Sequence, residues 1–253
     1  PDGRNQVRLT FTADAWETTP AGSPDGRWIA YERVDNGSPS YRQIWLMSRD
    51  GRGAAMLTEG PFNHMRPTWS ADSQKIALAS DRDGDWEIYV YDLAGHTINK
   101  VTDNFTNELQ PDWSHISGRI GYPSALSPPN AEIFVMNADG SDAARQPFNY
   151  NGDSSPSWSP SANRIAFWGS RPQGQALYTM QSDGTGIALL APQSLRPASP
   201  AWGNVGDTIV FSGYRPGSGY SEIMRIEADG SGLVLLTHNE VNFDYAPGWL
   251  AGW

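Results

Sequence analysis

Cysteine is absent from this 253-residue chain, and lysine occurs only twice, at Lys75 and Lys100. Without cysteine the chain can form neither disulfide bonds nor thiolate metal sites, which is compatible with an oxidising compartment but does not establish one. Long apolar runs are also lacking, because the longest, residues 187–191, is far too short to cross a bilayer. The sequence therefore predicts no thiol chemistry and no membrane insertion.

Positive charge is scarce as well. Eighteen Lys and Arg residues face 28 Asp and Glu residues, for a net charge of -10. Because phosphate binding needs clustered Lys and Arg, nucleic acid is not an expected partner. The four histidines lie in different parts of the chain without the spacing of a histidine-built metal site.

Short β-prone segments make up most of the chain. Residues 63–102 contain four runs rich in Ile, Val, Tyr and Trp, each closed by Asp, Gly, Asn or Ser. This pattern predicts a four-stranded antiparallel meander, whose strands we name A to D in chain order. With 26 Gly and 19 Pro between such runs, the chain is dense in turns, and no helical pattern of useful length appears.

The meander recurs at intervals of 44 to 47 residues. A proline two residues before the tryptophan of strand A, which is Gly22 in the first copy, marks six copies, at Pro20, Pro67, Pro111, Pro156, Pro200 and Pro247. Strand B, as in residues 75–78, and strand C, as in residues 88–91, each recur five times. A repeat of this length is typical of propellers, so residues 1–253 are predicted to form a single all-β domain of five complete repeats and a partial one.

The two ends of the chain fall inside a repeat. Residues 6–10 match strand D alone, and residues 245–249 match strand A alone. Strand A is innermost in a blade and strand D outermost, so the two could not pair directly at about 4.8 Å per strand. We expect a six-bladed β-propeller whose last blade is shared between the chain ends and incomplete, in a fragment of a longer chain. The alternative is five closed blades.

These motifs resemble those of TolB-type β-propellers. The matching residues are Pro-x-Trp-Ser with Pro-Asp-Gly-Arg (24–27), Ser-Asp-Arg-Asp-Gly-x-x-Glu-Ile-Tyr-Val (80–90), Met-Asn-Ala-Asp-Gly-Ser (136–141) and a closing Leu-Thr. The resemblance covers essentially the whole chain and is more specific for fold than for function. It implies a bacterial periplasmic or extracellular location.

Function in propellers is usually carried by one face, around the mouth of the central channel. We call it the mouth face, where the connections from strand D to the next strand A and the loops from B to C emerge. The residues three before each strand-A proline are Glu17, His64, Glu108, Asp153, Pro197 and Asp244. Pseudo-symmetry predicts that they form a ring, favouring a basic group or a cation such as Ca²⁺ on Glu17, Glu108, Asp153 and Asp244. The alternative is that these short acidic residues cap their loops.

Aromatic residues crowd the same predicted face. Trp16, Phe62, Phe105, Phe243 and Tyr245 lie in D-to-A connections, and Tyr41, Trp86, Tyr214 and Tyr220 lie in B-to-C loops. Because Tyr and Trp are favoured at binding hot spots, we predict Trp16, Phe243, Tyr245 and Tyr214 as partner-binding residues. The alternative is that about half of the aromatics fill the channel or the gaps between blades.

Catalytic motifs are missing from this sequence. No Gly-x-Ser-x-Gly occurs, and the acidic run 81–87 departs from a calcium loop in the position of its glycine, so a hairpin is expected there. The first hypothesis is a non-catalytic binding scaffold of TolB type, without a cofactor, that receives a protein or peptide. The second is the substrate-selecting propeller domain of an extracytoplasmic peptidase or glycan-degrading enzyme. The sequence does not fix the oligomeric state.

Overall fold

The structure is a computed structural model. It describes residues 7–37, 40–125, 130–146, 152–171, 174–203, 206–215, 217, 219–238 and 244–248. Over these residues the chain is built almost entirely from β-strands, with one 3-10 helix at Gln193–Leu195. Within the described part of the chain, no helix is both long and apolar enough to cross a membrane.

Twenty strands form five antiparallel sheets of four, each in sequential order. Blade 1 contains β1 (Ala15–Gly22), β2 (Trp28–Asp35), β3 (Gln43–Ser48) and β4 (Ala55–Met56); blade 2 contains β5 (His64–Trp69), β6 (Lys75–Ser80), β7 (Glu87–Asp92) and β8 (Thr97–Lys100). Blade 3 contains β9 (Asp112–Trp113), β10 (Arg119–Ser124), β11 (Glu132–Asn137) and β12 (Ala144–Gln146). Blade 4 contains β13 (Asp153–Trp158), β14 (Arg164–Arg171), β15 (Gly174–Gln181) and β16 (Ala188–Ala191); blade 5 contains β17 (Ala198–Trp202), β18 (Thr208–Tyr214), β19 (Ser221–Glu227) and β20 (Val234–Leu235). This is the all-β propeller that the repeat predicts.

The Ser-x-Asp motif after strand A closes the A-to-B turn. In blade 2 the Ser70 hydroxyl donates to Asp72 Oδ1 at 2.6 Å and accepts the Lys75 N–H at 2.9 Å. Blade 1 repeats these contacts with Ser23, Asp25 and Trp28. Short polar side chains that bond nearby backbone are the usual device of tight turns, so this motif fixes the first hairpin of blades 1 and 2.

Apolar clusters join each blade to the next. In one cluster, Ala30 and Ile44 of blade 1 pack with Trp69, Ile76 and Leu78, among other residues of blade 2. Similar clusters join blades 2 and 3, 3 and 4, and 4 and 5. The inner strands β1, β5, β9, β13 and β17 also contact one another in sequence. The blades therefore stand radially around an axis, with strand A innermost.

The chain ends do not form a sixth sheet in the described residues. Residues 7–12 and 244–248 are not in strands, although Leu9 carbonyl oxygen lies 2.6 Å from where a Cβ on Gly51 would stand, and Gly248 lies against Pro20. The prediction of six blades is therefore wrong for the number of sheets, which is five in the described residues. The alternative of five blades matches the structure. The physical reason is the separation of an innermost and an outermost segment, which cannot pair without two strands between them. Asp2, Gly3 and Trp249 lie outside the described residues.

Candidate functional site

The residue before each strand-A proline adopts a left-handed backbone conformation. Its φ lies between 46° and 57° in all six copies, at Thr19, Arg66, Gln110, Ser155, Ser199 and Ala246. Non-glycine residues rarely take positive φ, and a following proline normally favours extended backbone. Strain of this kind persists only where the surrounding structure holds it, and it is common at functional sites.

A β-bulge accompanies this conformation. In blade 2, Met65 pairs with Ala79 and Thr68 with Ala77, so Arg66 and Pro67 together stand opposite Leu78 alone. The same register shift occurs in blades 1, 4 and 5. Because a bulge redirects side chains and ends regular pairing, these four blades present their two bulged residues toward the axis.

The bulged residues line the central channel. Six stretches, 19–22, 66–69, 110–112, 155–157, 199–202 and 246–248, together with His115, enclose a cavity of about 170 Å³. None of the residues predicted from the position three before the proline lines this cavity. Those residues lie nearer the mouth face, since they come earlier on strand A. The channel ring is thus a set of functional candidates that the sequence analysis missed, although the proline register marks each member.

Side-chain oxygens bridge consecutive blades along the channel. The main-chain N–H of Trp113 donates to Thr68 Oγ1 at 3.1 Å, and the main-chain N–H of Trp202 donates to Ser157 Oγ at 2.9 Å. At the same position, Asp112 Oδ2 accepts the Trp158 N–H at 2.6 Å. Burial raises the pKa of the Asp112 carboxyl to about 7, against the lowering effect of its hydrogen bonds from the Trp158 main chain and the Thr68 side chain. Burial also lowers the pKa of His115, so its imidazole is neutral at pH 7.

A half-buried guanidinium supplies positive charge to the channel. Burial lowers the pKa of Arg66, while the nearby Glu32 carboxylate opposes this shift. Glu32 is only 2% exposed and is already engaged, because its Oε1 accepts the Arg66 main-chain N–H at 2.8 Å and its Oε2 accepts Arg42 Nη1 at 2.8 Å. Arginine remains charged at pH 7 in such surroundings. Glu32 therefore contacts the guanidinium of Arg42 but only the main chain of Arg66.

The predicted carboxylate ring is distributed among separate junctions between blades. Glu108 is fully buried and its Oε1 accepts the Thr106 and Ser124 hydroxyls at 2.6 and 2.7 Å. Asp153 is 1% exposed and bonds Arg171 Nη1 at 2.6 Å. These contacts are those of carboxylates that hold loops and strands in place, which was the alternative interpretation of the pattern.

The other predicted ring members are placed differently from these two. Glu17 is half-buried and its Oε1 accepts the Thr12 hydroxyl at 2.5 Å. Burial lowers the pKa of His64 to about 4, which leaves a neutral imidazole. The Asp244 main-chain N–H donates to the Ser221 carbonyl at 3.0 Å, and its own carbonyl accepts the Ser221 hydroxyl at 2.7 Å. Across the described ranges, no three His, Asp or Glu side chains converge as a metal site would require. Cation binding at the mouth remains a prediction.

A second layer of buried carboxylates lies at the start of strand C. Glu87, Glu132 and Glu222 are each at most 1% exposed. Burial, then the neighbouring Glu108 carboxyl, raises the pKa of Glu87 to about 7. Burial, then Asp153, raises the pKa of Glu132 to about 7. Sequence reasoning missed this layer, although each residue directly precedes the isoleucine that opens strand C.

The acidic run between strands B and C forms a hairpin connection, as expected. It joins β6 to β7, and Asp81 uses both carboxylate oxygens to accept the main-chain and side-chain N–H groups of Asn63 at 2.7 Å. Asp81 is thus already committed to bracing the neighbouring loop.

Large aromatic side chains lie exposed in and beside the D-to-A connections. Trp16, at the start of β1, is 72% exposed, Tyr245 is 63% exposed and Phe105 is fully exposed. Tyr214, the last residue of β18 before the B-to-C loop of blade 5, is half-buried, and its ring lies 5.7 Å from the Arg196 guanidinium carbon. The predicted binding residue Phe243 lies outside the described residues. Exposed aromatics on one face are typical of interaction surfaces.

Part of the chain is similar in sequence to proteins of known families. The chain is 31% identical over 125 residues to a protein TolB homolog of Chlorobium chlorochromatii, covering 49% of this chain and 27% of the relative. It is 33% identical over 108 residues to the uncharacterized peptidase YuxL of Bacillus subtilis, covering 41% of this chain and 16% of the relative. The chain thus spans less than a third of the length of these two relatives.

A solved structure shares the fold. TolB from Acinetobacter baumannii superposes with a TM-score of 0.77 at 19% sequence identity, covering 96% of this chain and 59% of that chain. At this level of identity, the similarity shows the architecture alone. The family assignment comes from the sequence, where the model of the TolB beta propeller domain matches residues 1–250. The chain therefore belongs to the TolB beta propeller domain family.

Proposed function

We propose that this chain is a non-catalytic binding scaffold that receives a protein or peptide partner at the mouth face. The observation that carries the proposal is the exposure of Trp16, Phe105 and Tyr245 around an open channel. Exposed aromatic side chains contribute favourable free energy when a partner covers them, and they supply contact area at a low entropic cost. The similarity to TolB proteins supports a bacterial, extracytoplasmic setting for this binding.

The rigid blades make the mouth face suitable for recognition. Apolar clusters fix each blade against the next, so the connecting loops are free of packing duty. A preformed surface loses little conformational entropy on binding, which favours affinity. On this proposal the chain binds its partner and does not change it chemically.

Site-specific crosslinking tests the proposal. Because the chain has no cysteine, Phe105→Cys creates a single attachment point for a photoactivatable crosslinker. A matched control is Ile116→Cys, which is 70% exposed but lies in the A-to-B turn at the opposite end of a blade. We expect a defined protein adduct from residue 105 in a bacterial envelope extract and none from residue 116. Equal labelling from both positions contradicts the proposal.

The second candidate is a substrate-selecting propeller domain of a peptidase or glycan-degrading enzyme. The similarity to the uncharacterized peptidase YuxL, of which the chain covers 16%, favours this candidate. It predicts that residue 105 captures a glycan or a mixture of short peptides of many sequences, whereas the scaffold predicts one defined protein or peptide. Mass spectrometry of the adduct separates the two functions.

A further inference from the structure

Arg66 differs from the five residues that share its place in the channel ring. The equivalent positions carry Thr19, Gln110, Ser155, Ser199 and Ala246, so the one ionised side chain at this level of the channel is positive. Its left-handed backbone, at a φ of 57°, and the bulge opposite Leu78 direct it toward the axis. A net charge of -10 for the whole chain makes this local excess of positive charge unusual.

Local charge around Arg66 is not balanced. Glu32 accepts the Arg66 main-chain N–H and the Arg42 guanidinium, and the Thr18 hydroxyl donates to it at 3.1 Å. The Arg66 guanidinium itself has no hydrogen bond or ion pair with any of the residues that the structure describes. Two cationic groups thus share one carboxylate, and the one in the channel keeps its donors available.

The other ionisable groups of the channel compensate this charge only in part. A pKa of about 7 leaves the Asp112 carboxyl at least half neutral at pH 7 and below, and its Oδ2 accepts the Trp158 main-chain N–H. His115 is neutral at pH 7 because burial lowers its pKa. Partial burial removes part of the hydration of Arg66 and strengthens its attraction for an incoming anion.

We propose that the channel binds a carboxylate of the partner, held on the Arg66 guanidinium. A guanidinium presents two parallel N–H donors that match the two oxygens of a carboxylate. Gln110 Oε1 already accepts the Ser155 N–H and hydroxyl at 3.1 and 3.2 Å, so the amide NH₂ of Gln110 is directed to donate elsewhere. This inference rests on the proposed function, since it names the chemical group that the scaffold receives.

Three small peptides test the ligand class. Triglycine offers a C-terminal carboxylate, N-acetyl-Gly-Asp-Gly-amide offers a side-chain carboxylate, and triglycinamide offers neither. Binding is followed at low ionic strength by saturation-transfer NMR and by the arginine Nε–H spectrum of the chain. We expect one or both carboxylate peptides to bind at least tenfold more tightly than triglycinamide. The stronger of the two identifies the source of the carboxylate.

Variants assign the effect to Arg66. Arg66→Gln should abolish the preference for carboxylate peptides, whereas Arg66→Lys should keep part of it, because the charge remains but the paired donors are lost. Arg52→Gln is the matched control, since its side chain is 87% exposed and does not line the channel cavity. Circular dichroism melting verifies that each variant is folded before titration. Equal binding of acid and amide, a preference that survives Arg66→Gln, or binding of inorganic phosphate alone overturns the proposal.

The same variants separate this inference from the proposed function. If carboxylate peptides show no preference while the residue-105 crosslink persists in Arg66→Gln, the scaffold function stands and the carboxylate site is wrong. If carboxylates bind at Arg66 while residue 105 yields no adduct, the site stands and the mouth-face function is wrong.

Discussion

Asp112 reaches across the junction between blades 3 and 4, where its Oδ2 accepts the main-chain N–H of Trp158 at 2.6 Å. Thr68 and Ser157 do the same for the tryptophans that follow them in blades 3 and 5. The proline-tryptophan repeat therefore has two structural functions. The proline marks the bulge at the channel, and the residue before the tryptophan links its blade to the next.

Asp112→Ala should destabilise the chain by about 2 kcal/mol, because the Trp158 N–H loses its acceptor in a largely dry junction. Asp112→Asn should cost less, because its amide oxygen still accepts this hydrogen bond and carries no charge. Urea unfolding at pH 7, followed by tryptophan fluorescence, measures both. If Ala and Asn are equally destabilising, the Trp158 contact contributes nothing to stability.

Thr102 connects the end of strand D to the start of strand C. Its hydroxyl accepts the Ile88 N–H at 2.8 Å, and Thr58 and Thr237 make the same contact with Ile44 and Ile223. This contact explains the closing Leu-Thr of the repeat. Thr102→Val keeps the shape of the side chain but leaves a buried N–H without an acceptor, so we expect a loss of about 1–3 kcal/mol in the free energy of unfolding.

An exposed threonine in the same blade provides the control. Thr97 begins β8 with its side chain in solvent, so Thr97→Val should change stability by less than about 0.5 kcal/mol. Chemical denaturation of both variants under identical conditions gives the comparison. A similar effect of the two substitutions would show that the hydroxyl of Thr102 is dispensable.

Much of the fold could be predicted from the sequence because its signals are local. Strand B of the second copy was expected at residues 75–78 and occurs as β6, Lys75–Ser80; strand C was expected at 88–91 and occurs as β7, Glu87–Asp92. Alternating β-branched and aromatic residues closed by turn residues encode such strands directly. The left-handed residues before proline could not be predicted, because the local preference before proline is for extended backbone and tertiary packing overrides it.

The candidate site was less predictable, since the residues that contact one another there are distant in sequence. Spacing identified Glu108 and Asp153 as equivalent positions, but their bonds to Ser124 and Arg171 come from another strand. Pseudo-symmetry fixes where equivalent residues stand around the axis and says nothing about which neighbours they find. Arg66 was missed for the same reason: its unbalanced charge depends on Glu32, which is 34 residues away.

Glu87 should make stability depend on pH. Burial and Glu108 raise its pKa from 4.5 to about 7, so the folded chain holds a proton that the unfolded chain releases above pH 4.5. The stabilising contribution of that proton is complete below pH 4.5 and is lost as pH rises through 7. Glu87→Gln should therefore gain about 2–3 kcal/mol over the original chain at pH 8 and little at pH 4.5.

Urea unfolding across pH 4.5 to 8 checks the behaviour of Glu87. Asp139→Asn serves as the control, since Asp139 lies on an exposed turn where the Ser141 hydroxyl lowers its pKa, and its contribution must be fully present over most of this range. A pH-independent difference between Glu87→Gln and the original chain would contradict the raised pKa of Glu87 in the folded chain.

Gly51 tests how residues 7–9 pack against blade 1. Gly51 has a φ of 83°, and an added Cβ would stand 2.6 Å from the Leu9 carbonyl oxygen, closer than real Cβ atoms approach backbone. Gly53, in the same turn, has a φ of 63° and nothing within 4 Å of its Cβ position. Gly53→Ala should cost about 1 kcal/mol from backbone strain alone. Gly51→Ala should cost about 2 kcal/mol more, because the Leu9 segment must move away. Equal unfolding free energies for the two variants would show that the Leu9 segment does not dock on this turn in solution.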